Sequence, residues 1–208
     1  MRSQTVSRIP YALVGSVALA ALVALGHRSS GPEASKGAAA RPVPCPTSDG
    51  LDFPVGDGDA AGYYNAQEFG ENNHLGEDWN GKGGGDTDLG DEVLSISSGR
   101  VLFARDLKGG WGKVVRVRHN MGSHSAPRYV ESLYAHLDEI RVTKGQCLKR
   151  GQNLGTIGTA HGKYLAHLHF ELRDTLSLPV GPGYAENAKG RLHPTDFIRA
   201  HRPRHDDF

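Results

Sequence analysis

At 208 residues the chain has room for one domain of ordinary size plus appendages. Its 24 basic and 23 acidic residues leave a net charge of +1, which excludes a charge-driven nucleic-acid partner or polybasic membrane contact. The 28 glycines and the scarcity of long helical periodicity favour an all-β domain rich in turns.

The chain opens with Arg2 and Arg8, then an apolar run over 9–26 that ends in Ala24-Leu25-Gly26. A basic start, an apolar stretch and a small-x-small triplet read as an export signal cleaved before His27. The run also approaches the ~20 apolar residues that span a bilayer, so an uncleaved membrane anchor is the alternative. No cysteine follows it where a lipoprotein signal would need one. Either way the remainder is expected outside the cytoplasm, in the periplasm or cell envelope or secreted. Residues 27–50 are largely Ser, Gly, Ala, Pro, Lys and Arg, too poor in apolar groups to build a core, and read as a flexible linker. The linker ends near Cys45, and Cys147 is the only other cysteine. In an exported chain this pair is expected to form a disulfide tying the start of the domain to its body.

The folded domain is expected over 51–200, with a charged, disordered tail at 201–208. Its first motif is His74-Leu75-Gly76-Glu77-Asp78. Helical spacing would put His74 and Asp78 on one face, but Gly76 and the following Gly-rich stretch argue for an extended or looped segment. Glu77 is a rival carboxylate that strand geometry turns away from Asp78, and Trp79 reads as packing. The loop over 81–90 carries Asp86 and Asp88, but lacks the distal Glu and the flanking helices of an EF-hand. Strand-like runs follow at 93–96, 99–104 and 112–119, the last alternating cleanly. Another run, 129–136, delivers His136 within Tyr134-Ala135-His136-Leu137. A short strand at 154–158 and a loop at 159–165 lead to His167-Leu168-His169-Phe170-Glu171-Leu172. Period-2 alternation there puts His167, His169 and Glu171 on one face and Leu168, Phe170 and Leu172 on the other, towards a core.

Two imidazoles at neighbouring same-face positions can approach one metal ion or flank one reacting atom. With His74 and Asp78, one of them would complete a three-ligand zinc set that leaves a fourth position open to water, the pattern of a catalytic zinc site. The alternation does not say which of His167 and His169 would be the ligand. Neither cysteine lies near these motifs, so sulfur ligation is disfavoured.

Taken together, HxxxD, a Gly-rich turn, YAHL and HLHFE resemble the LytM/lysostaphin-type zinc metalloendopeptidases of family M23, over about residues 68–175. The resemblance implies a two-sheet antiparallel β-sandwich with an open groove holding one zinc ion and few or no long helices. It implies His74, Asp78 and His169 as metal ligands and His136 and His167 as the catalytic pair. His119 is then a structural histidine, and 159–165 a wall of the groove. That loop departs from the family's Ser/Thr/Gly run, so the accepted peptide is open; His161 and Tyr164 are candidate substrate contacts. Leu192-His193-Pro194-Thr195 resembles the family's closing segment, where Pro opens a last helical turn. The implied substrate is the peptide cross-bridge of bacterial peptidoglycan, and the expected state is a monomer. Two alternatives are a catalytically silent wall-binding or amidase-activating module of the same fold, and a lipoyl-like carrier. The carrier would need an exposed lysine at a hairpin tip and none of the five polar positions.

Overall fold

The computed structural model describes residues 44–203. The export segment expected at 1–26, the linker up to residue 43 and the end of the tail at 204–208 lie outside the described residues. Ten strands follow in order: β1 (Tyr63–Gln67), β2 (Glu77–Gly81), β3 (Glu92–Leu94), β4 (Gly99–Asp106), β5 (Lys113–Asn120), β6 (Tyr129–Leu137), β7 (Cys147–Leu148), β8 (Asn153–Thr156), β9 (Leu168–Arg173) and β10 (Arg191–Leu192). Two 3-10 turns, Gly56–Gly58 and Glu71–Asn73, precede β1 and β2, and one helix, α1 (Pro194–His201), closes the domain. No helix among the described residues is long and apolar enough to cross a membrane.

The fold is all-β, as the alternation patterns predict. One antiparallel sheet runs β1-β2-β9-β6-β5-β4-β7 with β10 added beside β9, and the second sheet is only the β3–β8 ribbon. Along β5 the apolar residues Val115 and Val117 join the main core, while Val114 packs with Leu133 and Ala135 on the opposite side. Leu168, Phe170 and Leu172 of β9 enter the main core with Tyr134, Trp79, Ile96 and Leu154, which leaves the alternate β9 residues for the other face. Trp79 packs edge-on to Phe53 with ring centroids 5.4 Å apart, a core role.

Both ends of the domain reach beyond the limits that composition drew. Residues 44–50 are not free linker. Cys45 is bonded to Cys147, the Ser48 amide donates to the Asn120 carbonyl at 2.8 Å, and the Ser48 and Ser97 hydroxyls meet at 2.7 Å. A covalent tie and main-chain pairing hold the segment where apolar content alone would not. At the other end, His201 completes α1, its carbonyl accepts the Leu51 amide at 3.0 Å, and the Arg202 guanidinium lies over the Phe53 ring. The closing helix starts at Pro194, and its second amide, Thr195 N–H, donates to buried Glu77 at 3.0 Å. The Thr195 hydroxyl and the Trp79 indole donate to the same carboxylate. Glu77 therefore caps a helix from a neighbouring strand and faces away from Asp78.

The bridge closes 102 residues of sequence. Chain entropy over a loop of that length is worth about 5 kcal/mol. The Cys45→Ser, Cys147→Ser double variant should therefore unfold at a clearly lower urea concentration than the oxidised protein, and the reduced wild type should follow the variant. An unchanged midpoint would show that 44–50 is held by hydrogen bonds alone.

His119 lies fully buried on β5, where its ring nitrogens meet the Ser98 carbonyl at 3.1 Å and the Ser132 hydroxyl at 2.8 Å. Ser132 passes the chain to Tyr134, whose hydroxyl accepts the Ile96 amide at 3.0 Å. Burial pushes the His119 pKa from 6.5 down to about 4, against the raising effect of the Ser98 and Ser97 carbonyls and Glu131. The folded state thus keeps this ring neutral where the unfolded chain takes up a proton. Its contribution is complete above pH 6.5, is lost as pH falls from 6.5 to about 4, and amounts to on the order of 3 kcal/mol. His119→Gln should lower stability at pH 7 and show a shallower decline across that window. Parallel stability curves for the two proteins would refute the assignment.

Candidate metal centre and cleft

The register of the large sheet brings the motifs together. β2 and β9 pair so that Asp78 stands directly opposite His169, and β6 places Ala135 on the other side of the same histidine. His74 follows the Glu71–Asn73 turn in extended conformation, bridges to Tyr184, and is almost wholly buried. Gly76 makes this approach possible. A Cβ there would come within 2.5 Å of the Phe170 carbonyl and 3.0 Å of the His169 ring. His136 adopts a left-handed φ of 62°, uncommon for a residue with a Cβ, just past its strand partner. Its amide donates to the Trp111 carbonyl at 3.1 Å. His167 is held by a bridge to Gly158, where any side chain would collide with the His136 carbonyl.

His74, Asp78 and His169 converge, with one donor atom from each within 4.8 Å of the others. His74 Nε2 lies 3.0 Å from His169 Nδ1, and Asp78 Oδ1 lies 3.0 Å from the same nitrogen and 3.4 Å from His74 Nε2. Two imidazole nitrogens and a carboxylate oxygen point at one spot, where electron pairs repel unless a cation or a shared proton lies between them. Burial opposes charging His169, yet hydrogen bonds to Asp78 and Glu171 outweigh it and push its pKa up to about 9. The histidines around Asp78 overcome its burial and hold its carboxyl below the usual range, while burial lowers His74. A site that draws a positive charge between these three groups suits a divalent ion. The outer partner fits as well: His169 Nε2 faces Glu171 Oε1 at 3.3 Å, the carboxylate–histidine arrangement that leaves Nδ1 free to ligate. Zinc, with its preference for imidazole and carboxylate and for three protein ligands in open sites, matches the donor set.

His136 and His167 flank this centre, their ring centroids 4.8 Å apart and the His136 ring 5.5 Å from His169. The Nδ1–H of His167 donates to the Leu165 carbonyl at 2.8 Å, which turns Nε2 to the cleft, 3.8 Å from Asp78 Oδ2. His136 Nδ1 lies 3.4 Å from the Trp111 carbonyl, so its Nε2 is likewise the free nitrogen. Burial, helped by neighbouring His169 and His167, pushes the His136 pKa down to about 3 and keeps the ring neutral.

Asp78, His136, His167 and His169 line a cleft of about 310 Å³, and His74 lies buried against His169 and Asp78 behind it. The cleft's aromatic walls are less evident in the sequence. Trp111 meets His169 edge-on at 5.3 Å, Tyr184 stacks on His74 at 4.9 Å, and Tyr164 stands 5.0 Å from His136. Trp111 and Tyr184 occur in Gly109-Gly110-Trp111-Gly112 and Gly181-Pro182-Gly183-Tyr184. Large aromatics among turn glycines were the one available signal for them. His161 turns instead to Asp106, at 3.0 Å, and pins the 159–165 wall to the end of β4. Asp86 accepts the Ala166 amide at 2.7 Å and braces the chain before His167, while Asp88 accepts the Gly81 amide at 2.9 Å at the end of β2.

The profile of Peptidase family M23 matches residues 72–182, which contain His74, Asp78, His136, His167 and His169. The chain is 33% identical over 107 residues to "Cell division protein DipM" of Caulobacter vibrioides, covering 51% of this chain and 15% of that protein. It is 33% identical over 84 residues to "Murein hydrolase activator NlpD" of Escherichia coli, covering 40% of this chain and 20% of the relative. The match thus spans only a small part of the length of these two relatives. Among solved structures, lysostaphin from Staphylococcus simulans superposes with a TM-score of 0.50 at 23% identity, over 67% of this chain and 50% of that one. That likeness concerns the fold.

Proposed function

The chain belongs to peptidase family M23, and from that premise we propose that it is an exported zinc endopeptidase cutting peptide bridges of bacterial peptidoglycan. The observation that carries the reading is the complete set: His74, Asp78 and His169 converge on one point while His136 and His167 offer free Nε2 atoms beside it. One zinc ion bound there would polarise the scissile carbonyl and acidify a water molecule.

The protein's own groups do the rest. His74, Asp78 and His169 would hold the ion from two strands and a loop braced by the sheet. His167 is the better proton carrier, since its Nε2 opens to the cleft 3.8 Å from the Asp78 carboxylate. It takes the proton of the attacking water and returns it to the leaving nitrogen. His136, kept neutral by burial, accepts a hydrogen bond from that water and orients it. Trp111, Tyr164 and Tyr184 form apolar walls that position an extended peptide and exclude solvent from the bond.

A second reading comes from the relative named as a murein hydrolase activator: a silent module that promotes another enzyme's activity. The intact five-residue set favours catalysis. The discriminating experiment is release of peptide fragments from purified cell wall by the full chain, with and without a zinc chelator. Chelator-sensitive release supports the peptidase. No release by zinc-loaded protein, together with stimulation of a cell-wall amidase, would establish the activator instead.

A further inference from the structure

His169, Glu171 and Arg173 are alternate residues of β9 and share one face of it. Glu171 is fully buried, and each of its oxygens has a definite task. Oε1 faces His169 Nε2 at 3.3 Å, while Oε2 receives Arg173 Nε at 2.9 Å and Arg191 Nε at 3.1 Å. A buried carboxylate needs such pairing, since an unpaired charge in this position is strongly destabilising. Arg173 is itself fully buried, an unusual place for guanidinium; its Nη2 also pairs with Glu171 Oε2 at 2.8 Å, and its other hydrogen bonds go to one segment. Nη1 donates to the Leu178 and Pro179 carbonyls at 3.3 and 3.1 Å, and Nη2 to the Val180 carbonyl at 2.9 Å. Three consecutive carbonyls of the 174–190 loop are thus gathered on one side chain.

Just beyond those carbonyls the same loop builds the cleft wall. The Gly181 carbonyl accepts the Trp111 indole N–H at 2.9 Å, the Gly183 carbonyl accepts the Leu75 amide at 2.9 Å, and Tyr184 covers His74. A continuous set of charged and hydrogen-bonded groups therefore runs from a metal-ligand candidate, through Glu171 and Arg173, into the wall.

We propose that Glu171 and Arg173 form a positioning pair that fixes His169 with its proton on Nε2 and its Nδ1 free for the metal, and that couples metal binding to the order of the 174–190 loop. The inference rests on the zinc reading above. Neither residue touches the peptide; both act through His169 and the wall. Coupling of this kind is reciprocal: metal that holds His169 tightens the loop, and loosening the loop weakens metal binding by the same factor.

The test uses the full chain and zinc alone, with affinity measured by competition against a chromophoric chelator. Glu171→Gln keeps the shape but removes the charge, and zinc binding should weaken about 10–100-fold. Arg173→Lys keeps a charge but loses the fork that holds the carbonyls, and should weaken zinc several-fold. The loop is read independently by amide hydrogen exchange at Ser177, which donates to Glu131 at 3.2 Å, away from the metal cluster. Zinc should slow Ser177 exchange in the wild type and cease to do so in Glu171→Gln. Ring-nitrogen NMR shifts should show His169 protonated at Nε2 in the zinc-bound wild type. Unchanged zinc affinity in folded Glu171→Gln, or wild-type Ser177 exchange indifferent to zinc, overturns the positioning pair while leaving the zinc site standing. Should the variants fail to fold, the wild-type exchange experiment decides by itself. A wild type that takes up no zinc, or a His169→Ala variant that keeps it, overturns both readings.

Discussion

Alanine at position 167 should slow release of peptide fragments from cell wall by about 10²–10⁴-fold, the usual worth of a positioned acid–base group, while leaving one zinc ion per chain. The argument is geometric. His167 and His169 are two residues apart and turn the same way, yet only the Nδ1 of His169 lies against His74 and Asp78. His167 presents Nε2 to the cleft from a ring anchored on the Leu165 carbonyl, and its closest carboxylate oxygen is 3.8 Å away. Its loss should leave the convergence of His74, Asp78 and His169 intact. His136→Ala should also retain metal but cost less, because a ring held neutral orients water rather than carrying its proton. Zinc content near one per chain with turnover near background is the expected result for His167→Ala. Loss of zinc from that variant would make His167 a ligand and refute the division of labour.

The strands that build the site were legible because each carries its own period. Alternation in 167–172 separates a histidine face from a core face, and β9 follows it residue by residue. The gathering of His74, Asp78, His136 and His169 was not a matter of local pattern, since β2, β9 and β6 meet through register between segments some 30 to 90 residues apart. The resemblance of the motifs supplied that step. What escaped the sequence has physical causes. Trp111 and Tyr184 belong to glycine-rich turns, whose side-chain directions follow from tertiary contacts such as the indole bond to Gly181. Composition placed the domain boundary at 51 because it registers apolar content, whereas 44–50 is held by a disulfide and by main-chain bonds. Glu77 could be set aside as a ligand from strand geometry, but its role as cap of α1 depends on a helix more than 115 residues further along.

His169→Ala should abolish both stoichiometric zinc binding and fragment release. This residue is central to the cluster: its Nδ1 stands 3.0 Å from both other donors, and its opposite nitrogen is the one tied to Glu171. Without it, His74 and Asp78 remain as two donors on separate segments, too few for a zinc site of this class. Thermal unfolding gives a readout separate from activity. A ligand at about 1,000 times its dissociation constant stabilises the folded state by about 4 kcal/mol, so a chelator should lower the unfolding temperature of zinc-loaded wild type by several degrees. The same chelator should leave His169→Ala unmoved, because that variant has no ion to lose. With Cys45 and Cys147 bonded to each other, neither is a free thiolate that could take the ion elsewhere. An equal chelator-induced drop in both proteins would place the stabilising metal away from His169, and with it the chemistry assigned to this cleft.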